Sequence, residues 1–404
     1  MSRKRVLVAS EFNARDRAHF SVNYEFCRII SECDDADLVA PGLDNYLARW
    51  FGALMPPHDD HNVQRDFNRL VNSFRKSLGF RNTATVERVA LERDYDLFFY
   101  VAWSPQSLVE LTRFRDWRKR CKRSAIYLAE VWGSTIEQDA RYLELLDQFD
   151  HVFLLHPESV SRLASRTKAQ CWWLPPGVDC LAASPYPSPP ERVVDIYSIG
   201  NRSARLHEQL LALAQRRNYL YLYDSLSSTD SRVKNWREHR LLLANIIKRT
   251  RYFITFSPAS LESPKAAKIA GEQVLPSRMF EGAVGGAVML GSAPKCKEFE
   301  EQFPWADAVI EVDSTADIGT LIDELDAGAD RINRLRHRSM TGCLRRHDWA
   351  HRWESVLSIL QMKPDPQLLQ RKSRLAILAD EADTAVAISK QRSGRSHISV
   401  QAGF

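Results

Sequence analysis

The 404-residue chain has no run of eighteen uninterrupted apolar residues, so no membrane-spanning helix is expected. It also lacks paired cysteines. Seven occur (Cys27, Cys33, Cys121, Cys171, Cys180, Cys296 and Cys343), an odd count with no C-x-x-C spacing. A disulfide framework or zinc ribbon is therefore not expected, and reduced, mostly buried thiols are. Charge of one sign is missing too. The 56 basic residues nearly match the 51 acidic ones, leaving +5. That fits an anionic ligand without demanding one. Basic residues form no concentrated stripe of the kind a dedicated nucleic-acid binder carries, so no nucleic-acid partner is expected. Their densest cluster, Arg115 to Arg123, reads as one exposed helix. Gly 16 and Pro 18 are too few for a low-complexity chain. The basic start at residues 1–5 is followed by an apolar run far too short for a signal peptide. Residues 6–9 read instead as a first core strand, and the chain is expected in the cytoplasm.

What is present is bulk: ten Trp, twelve Tyr and eighteen Phe. At roughly 100–200 residues per domain, the length suits two or three domains. Short apolar runs at 6–9, 38–40, 96–101, 125–128, 151–155 and 171–174 predict strands. Helical stretches at 22–30, 106–119, 136–148 and 159–165 alternate with them. Residues 44–92 read as mostly helical and charged. Six prolines between 175 and 190 then mark a linker. The alternation restarts with strands at 194–200, 219–223, 252–256, 287–290 and 308–312. Helices fall at 205–216, 239–248, 278–284 and 318–325, and continue to 360. Strand–helix alternation argues for parallel α/β sheets. Two such halves make a cleft at the carboxyl ends of their strands, where ligands bind.

The most informative segment is Pro276-Ser277-Arg278-Met279-Phe280-Glu281-Gly282, which leads through Gly285-Gly286 into a strand. Ser277 reads as a helix N-cap and the two glycines as its end. Arg278 beside a positive helix terminus supplies anion affinity. Glu281 can accept hydrogen bonds from the two hydroxyls of a ribose. The plainer reading, in which Glu281 only favours the helix start and pairs with Arg278, carries equal weight on physics alone.

This segment resembles the nucleotide-sugar element of retaining family 4 glycosyltransferases, and within them the P-S-x-R-x-F-E-A pattern of the spore-maturation type. Three further segments agree in order. Pro176-Gly177-Val178-Asp179 is similar to P-N-G-V-D. Ser198 to Arg205 resembles the strand-end Gly and Arg opening the second domain. Arg346-His347-Asp348-Trp349-Ala350-His351-Arg352 resembles the closing H-T-Y-x-H-R. The resemblance covers about residues 170–360.

It implies an α/β fold of GT-B architecture: two Rossmann-like parallel-sheet domains facing a cleft, with C-terminal helices crossing back. The expected division is 1–180 for the acceptor side and 190–345 for the nucleotide-sugar side. Closing helices follow at 346–390 and a flexible tail at 391–404. The implied activity moves a sugar from a nucleoside-diphosphate sugar to an acceptor hydroxyl or amine, with retention. The acceptor would be a small molecule, glycan or natural product. No resident cofactor is implied. No D-x-D motif sits where metal chemistry would need it, so metal independence is expected.

Carried over residue by residue, Glu281 would bind the ribose. Arg202 or Arg205 would face the diphosphate, with Arg278 a further candidate, as planar cations that never lose their charge. Gly200, Asn201, Ser277, Lys265 and Lys268 would complete the donor site. Gln273 stands where many relatives have a sugar-contacting Glu, with Glu272 one residue off. That leaves the donor sugar open. His156, ending a strand, is a candidate contact to sugar or acceptor, or else an N-cap. Glu11, Asn13 and Glu130 follow other strands and are acceptor-side candidates. His347 and His351 stand four apart, yet the apolar stripe around them favours packing over a metal. Residues 46–55 could dock on a bilayer or line a channel. A sugar-nucleotide hydrolase or epimerase, and a non-enzymatic nucleotide-sugar binder, remain rival readings.

Overall fold

The computed structural model describes residues 4–42, 88–200, 202–225, 231–261, 269, 271–312 and 317–401, with side chains to 387. Of the helices expected over 44–92, residues 44–87, with the 46–55 stretch, lie outside the described residues, while 88–92 hold a short strand, Val89–Ala90, and no helix. Six strands form a first sheet: β1 (Val6–Ser10), β2 (Ala36–Val39), β3 (Tyr95–Ala102), β4 (Cys121–Leu128), β5 (His151–Leu154) and β6 (Gln170–Trp173). Their order is β2-β1-β3-β4-β5-β6, every pair parallel. Five more form a second: β7 (Val194–Ser198), β8 (Tyr221–Tyr223), β9 (Thr250–Phe256), β10 (Val288–Ser292) and β11 (Ile310–Glu311). Their order is β8-β7-β9-β10-β11, again all parallel. Strands buried on both faces need continuous apolar runs, and β1 is buried along its whole length.

Both sheets reverse direction beside their first strand. The crevice at such a switch point is where open α/β sheets bind ligands. In the first half it lies between the ends of β1 and β3, at Glu11 and Trp103. In the second it lies between β7 and β9, at Ile199-Gly200 and Ser257-Pro258.

Six helices matter for the site: α1 (Ser21–Cys33), α2 (Trp236–Lys248), α3 (Ser277–Val284), α4 (Ala329–Arg346), α5 (Trp349–Ile359) and α6 (Pro366–Gln401). Helix α5 crosses back. Trp349, Trp353, Val356 and Leu357 pack in the first half's core with Val6, Val8 and Phe26. Trp349 stacks on Phe26 at 4.4 Å between ring centroids. Helix α6 straps both halves, with Leu368 in that core and Leu375, Ala379 and Ala382 in a second-half core. Arg371 of α6 donates to Asp348 Oδ1 (2.8 Å), Asp348 Oδ2 (2.7 Å) and Asp179 Oδ1 (2.7 Å). Burial opposes ionisation of Asp179, but Arg371 and Arg28 outweigh it and hold its carboxyl below the usual range.

Two local expectations change. The single helix expected over 106–119 is a 3₁₀ helix at Pro105–Arg113, a two-residue strand at Phe114–Arg115 and a short α-helix at Trp117–Arg120. Arg115 to Arg123 is therefore strand end, turn, helix and strand. Phe114 and Trp117 face the core, and Asp116 between them takes a left-handed backbone (φ 54°) that breaks the helix. Where a tail is expected after 390, α6 continues to Gln401. Among the described residues no helix is long and apolar enough to cross a membrane.

Candidate active site

A cleft of about 350 Å³ opens between the two switch points. That is within the size range of small-molecule sites. From the second half it is lined by Gly200, Asp224, Ser277, Arg278 and Glu281, and from the first by Trp103, Glu130, Trp132 and His156.

On the second-half wall, β7 ends in a turn that Gly200 makes with φ 71°. Its N–H donates to Asp224 Oδ2 at 2.8 Å. A Cβ there would stand 3.1 Å from Arg278 Nη2. Arg278 lies across this turn and donates from Nη1 to Ile199 O at 3.0 Å. Burial lowers its pKa, with Glu281 and Asp224 opposing. A guanidinium in such a place gains from an incoming diphosphate. Helix α3 starts differently than expected. Pro276 is its N-cap and Ser277 the first helical residue, with no side-chain cap. Pro276 holds the extended backbone (φ −70°, ψ 143°) that a cap needs, which leaves the Ser277 hydroxyl on the cleft.

Glu281 is 5% exposed. Its Oε1 accepts from Arg240 Nη1 at 2.6 Å. Arg240, on α2, also donates from Nε to Glu25 Oε2 (2.7 Å) and from Nη2 to Glu25 Oε1 (3.0 Å). Glu25 accepts in addition from Trp349 Nε1 and from the backbone of Asp179. Thus Glu281 pairs with Arg240, not Arg278, and one buried guanidinium ties the candidate ribose ligand to the first half. Burial works against the charge of Arg240, while Glu25 and Glu281 raise its pKa. Sequence reasoning missed this triad. Its only trace was an acid and a base standing in the apolar stripes of α1 and α2.

The first-half wall is aromatic. Glu130 sits between two indoles, accepting from Trp103 Nε1 (2.8 Å) and Trp132 Nε1 (3.2 Å). His156 is buried against Trp132, centroids 4.0 Å apart, and Pro157 rather than His156 caps the next helix. The loop beyond Ser257 crosses to this half. Glu272 Oε2 and Oε1 accept from the backbone N–H groups of Gly133 (2.8 Å) and Ser134 (2.6 Å).

Five of the expected residues do not line the cleft. Arg205 is exposed on the outer face of its helix, because its position in the helical turn opposes the buried Leu206 and Leu210. Arg202 turns back onto the Asp224 carbonyl and the Tyr223 ring. Gln273 is spent on neighbouring backbone, donating to Gly271 O in its own loop and accepting from Lys295 N in the loop after β10, at 3.0 Å each. Glu11 is 1% exposed, and its Oε1 accepts from Trp103 N at 2.7 Å across the β1/β3 crevice. It supports the cleft wall from behind. Asn13 is exposed outside the cleft, donating to Ala40 O (2.8 Å) and accepting from Trp236 Nε1 (2.9 Å). Asn201, Lys265 and Lys268 lie outside the described residues.

Among the described residues no group of three or more His, Cys, Asp or Glu is placed to hold a metal ion. His347 bonds Gln302 O and His351 bonds Leu344 O. Both histidines pack the junction.

Residues 202–358 match a family model described as Glycosyl transferase-like. No curated protein matches the sequence. Among solved structures, an alpha-glucosyltransferase in complex with UDP and a 13-mer DNA is similar at 9% identity and a TM-score of 0.50, covering 89% of this chain and 100% of that one. The Anabaena protein HepE in complex with UDP and glucose follows at 12% identity and 0.48, covering 89% and 100%. A sucrose-phosphate synthase from Thermosynechococcus elongatus stands at 10% and 0.48, covering 89% and 99%. Residues 202–358 thus match a glycosyl transferase-like model, and the chain shares the two-sheet GT-B fold of the similar alpha-glucosyltransferase.

Proposed function

We propose that the protein transfers a sugar from a nucleoside-diphosphate sugar to an acceptor hydroxyl or amine, with retention and without a metal. The observation that carries this is the convergence of the Gly200 turn, Arg278 and Glu281 on one cleft wall. They offer a close backbone approach, a cation and a carboxylate, which suit pyrophosphate and ribose. UDP is the first nucleotide to test, because the similar alpha-glucosyltransferase was solved with it. Residues 190–345 form the donor side and 1–180 the acceptor side. The cytoplasm is the proposed compartment, supported by reduced thiols placed inside the cores, such as Cys27 and Cys343.

In the step itself, the anomeric C–O bond breaks and its electron pair leaves on the β-phosphate. The acceptor oxygen bonds the same carbon, and its proton passes to the departing phosphate oxygen. Arg278 stabilises the charge that grows there. The aromatic wall of Trp103 and Trp132 excludes water, and His156 stands where the sugar or acceptor lies. The test is turnover and binding with a panel of sugar nucleotides, using wild type and Glu281→Gln. Donor-dependent transfer lost in the variant supports the reading. Release of free sugar without an acceptor moves it to a hydrolase. Failure of every sugar nucleotide to bind ends it.

A further inference from the structure

A second groove, of about 700 Å³, lies outside the cleft and shares His19 and Trp103 with it. Arg15 and Arg17 line it from the first half, and Arg232 from the second. Arg232 arrives because the chain near it pairs with residues 16–18. Ala18 N donates to Ser231 O (3.0 Å) and Val233 N to Asp16 O (2.7 Å). The groove is therefore assembled from both halves.

Its charge is unbalanced. Among the described residues Asp16 is the only carboxylate in its lining, and it pairs with Arg232 at 3.0 Å. Glu110, just behind, is divided between Arg15 (3.2 Å) and the buried Arg113 (2.5 Å). The guanidinium of Arg17 has no hydrogen bond or ion pair with any described residue. Asn13, Ser104 and Ser107 add neutral polar groups. Guanidinium forks beside hydroxyls and amides match the oxygens of a phosphate group.

We infer that this groove binds an anionic group of the phosphate-monoester or phosphodiester class, carried by the acceptor. The acceptor's anionic end sits on Arg17 and Arg232, and its reacting end passes His19 and Trp103 into the cleft. The anion site stands on the groove alone, whereas its occupant's role as acceptor rests on the proposed transfer reaction.

The test is calorimetry at low salt, with UDP in excess to fill any nucleotide site. The probes are glycerol 1-phosphate, glycerol, and vesicles of phosphatidylglycerol or of phosphatidylcholine. Wild type should bind glycerol 1-phosphate or phosphatidylglycerol, but neither neutral counterpart. Arg17→Gln should weaken this about tenfold, the loss of one charge-assisted contact. Arg17→Gln/Arg232→Gln should abolish it, and rising salt should weaken it. Asp16→Asn should tighten it about threefold by freeing Arg232. Asn tolerates the left-handed backbone at that position (φ 43°). Preference for the soluble ester or for the vesicle identifies the source of the phosphate. Equal binding by wild type and Arg17→Gln, or no binding of either anionic probe, overturns the inference. A UDP-induced thermal shift retained in Arg17→Gln shows that the variant folds. If UDP itself never binds, the donor reading fails separately and the groove result still stands.

Discussion

Replacing Glu11 by Gln tests how the first-half wall is held. The carboxyl lies at the β1/β3 crevice, 1% exposed. Burial pushes its pKa from 4.5 up to about 7, against the opposing effect of the Trp103 backbone N–H. Between those two values the folded protein keeps a proton that the unfolded chain releases. The contribution of Glu11 to stability is therefore greatest below pH 4.5, falls as the pH rises to about 7, and is constant beyond. About 2.5 pH units at about 1.36 kcal/mol each give roughly 3 kcal/mol. Gln keeps an acceptor for the Trp103 N–H but cannot ionise. Its amide would stand where Glu11 Oε2 is buried without a partner, which subtracts about 1 kcal/mol. Urea unfolding from pH 4.5 to 8 should show wild type losing about 3 kcal/mol relative to Glu11→Gln, with the variant about 2 kcal/mol more stable at pH 8. Parallel curves, or a variant less stable at pH 8, would refute the burial of an ionisable group behind Trp103.

Three other outcomes follow from the geometry. Arg240→Met leaves Glu25 and Glu281 buried without their cation and should destabilise by about 3–5 kcal/mol in denaturant melts. Adding Glu25→Gln and Glu281→Gln should recover part of that loss, because the three groups form one network. Arg371→Met should cost about 3 kcal/mol by stripping Asp348, and Arg371→Lys should recover only part, since an ammonium cannot span both carboxylates. Gly200→Ala should lose about 1–2 kcal/mol of stability from its left-handed backbone. It should also weaken nucleotide binding, measured by calorimetry, because the new methyl crowds Arg278.

The two sheets and the cleft were legible because doubly buried strands leave continuous apolar runs, as in Val6–Ser10 and Tyr95–Ala102. The α3 segment was legible from its paired-glycine exit and the Pro276-Ser277 entry, although the cap falls on Pro276 and not on Ser277. What was hidden was orientation. Arg202 and Arg205 open a helix in plausible places, but helical phase turns one outward, and a carbonyl holds the other back. Gln273 stands one residue from Glu272, and that single step decides which side chain reaches the opposite half. The Glu25–Arg240 pair is 215 residues apart in sequence, and no local pattern encodes such a distance. Glu11 was placed at the correct strand end, yet adjacency to a strand end does not reveal whether a side chain lines the crevice or supports it.

The central claim is that Glu281 and Arg278 hold a nucleoside-diphosphate sugar in the cleft between the two sheets. Thermal shift of wild type and of Glu281→Gln with a panel of sugar nucleotides tests it most directly. A ligand at about a hundred times its dissociation constant stabilises by about 2.7 kcal/mol. The account predicts a clear rise in melting temperature for wild type with at least one sugar nucleotide, and its loss in Glu281→Gln. No shift with any of them, or equal shifts in both proteins, would contradict it.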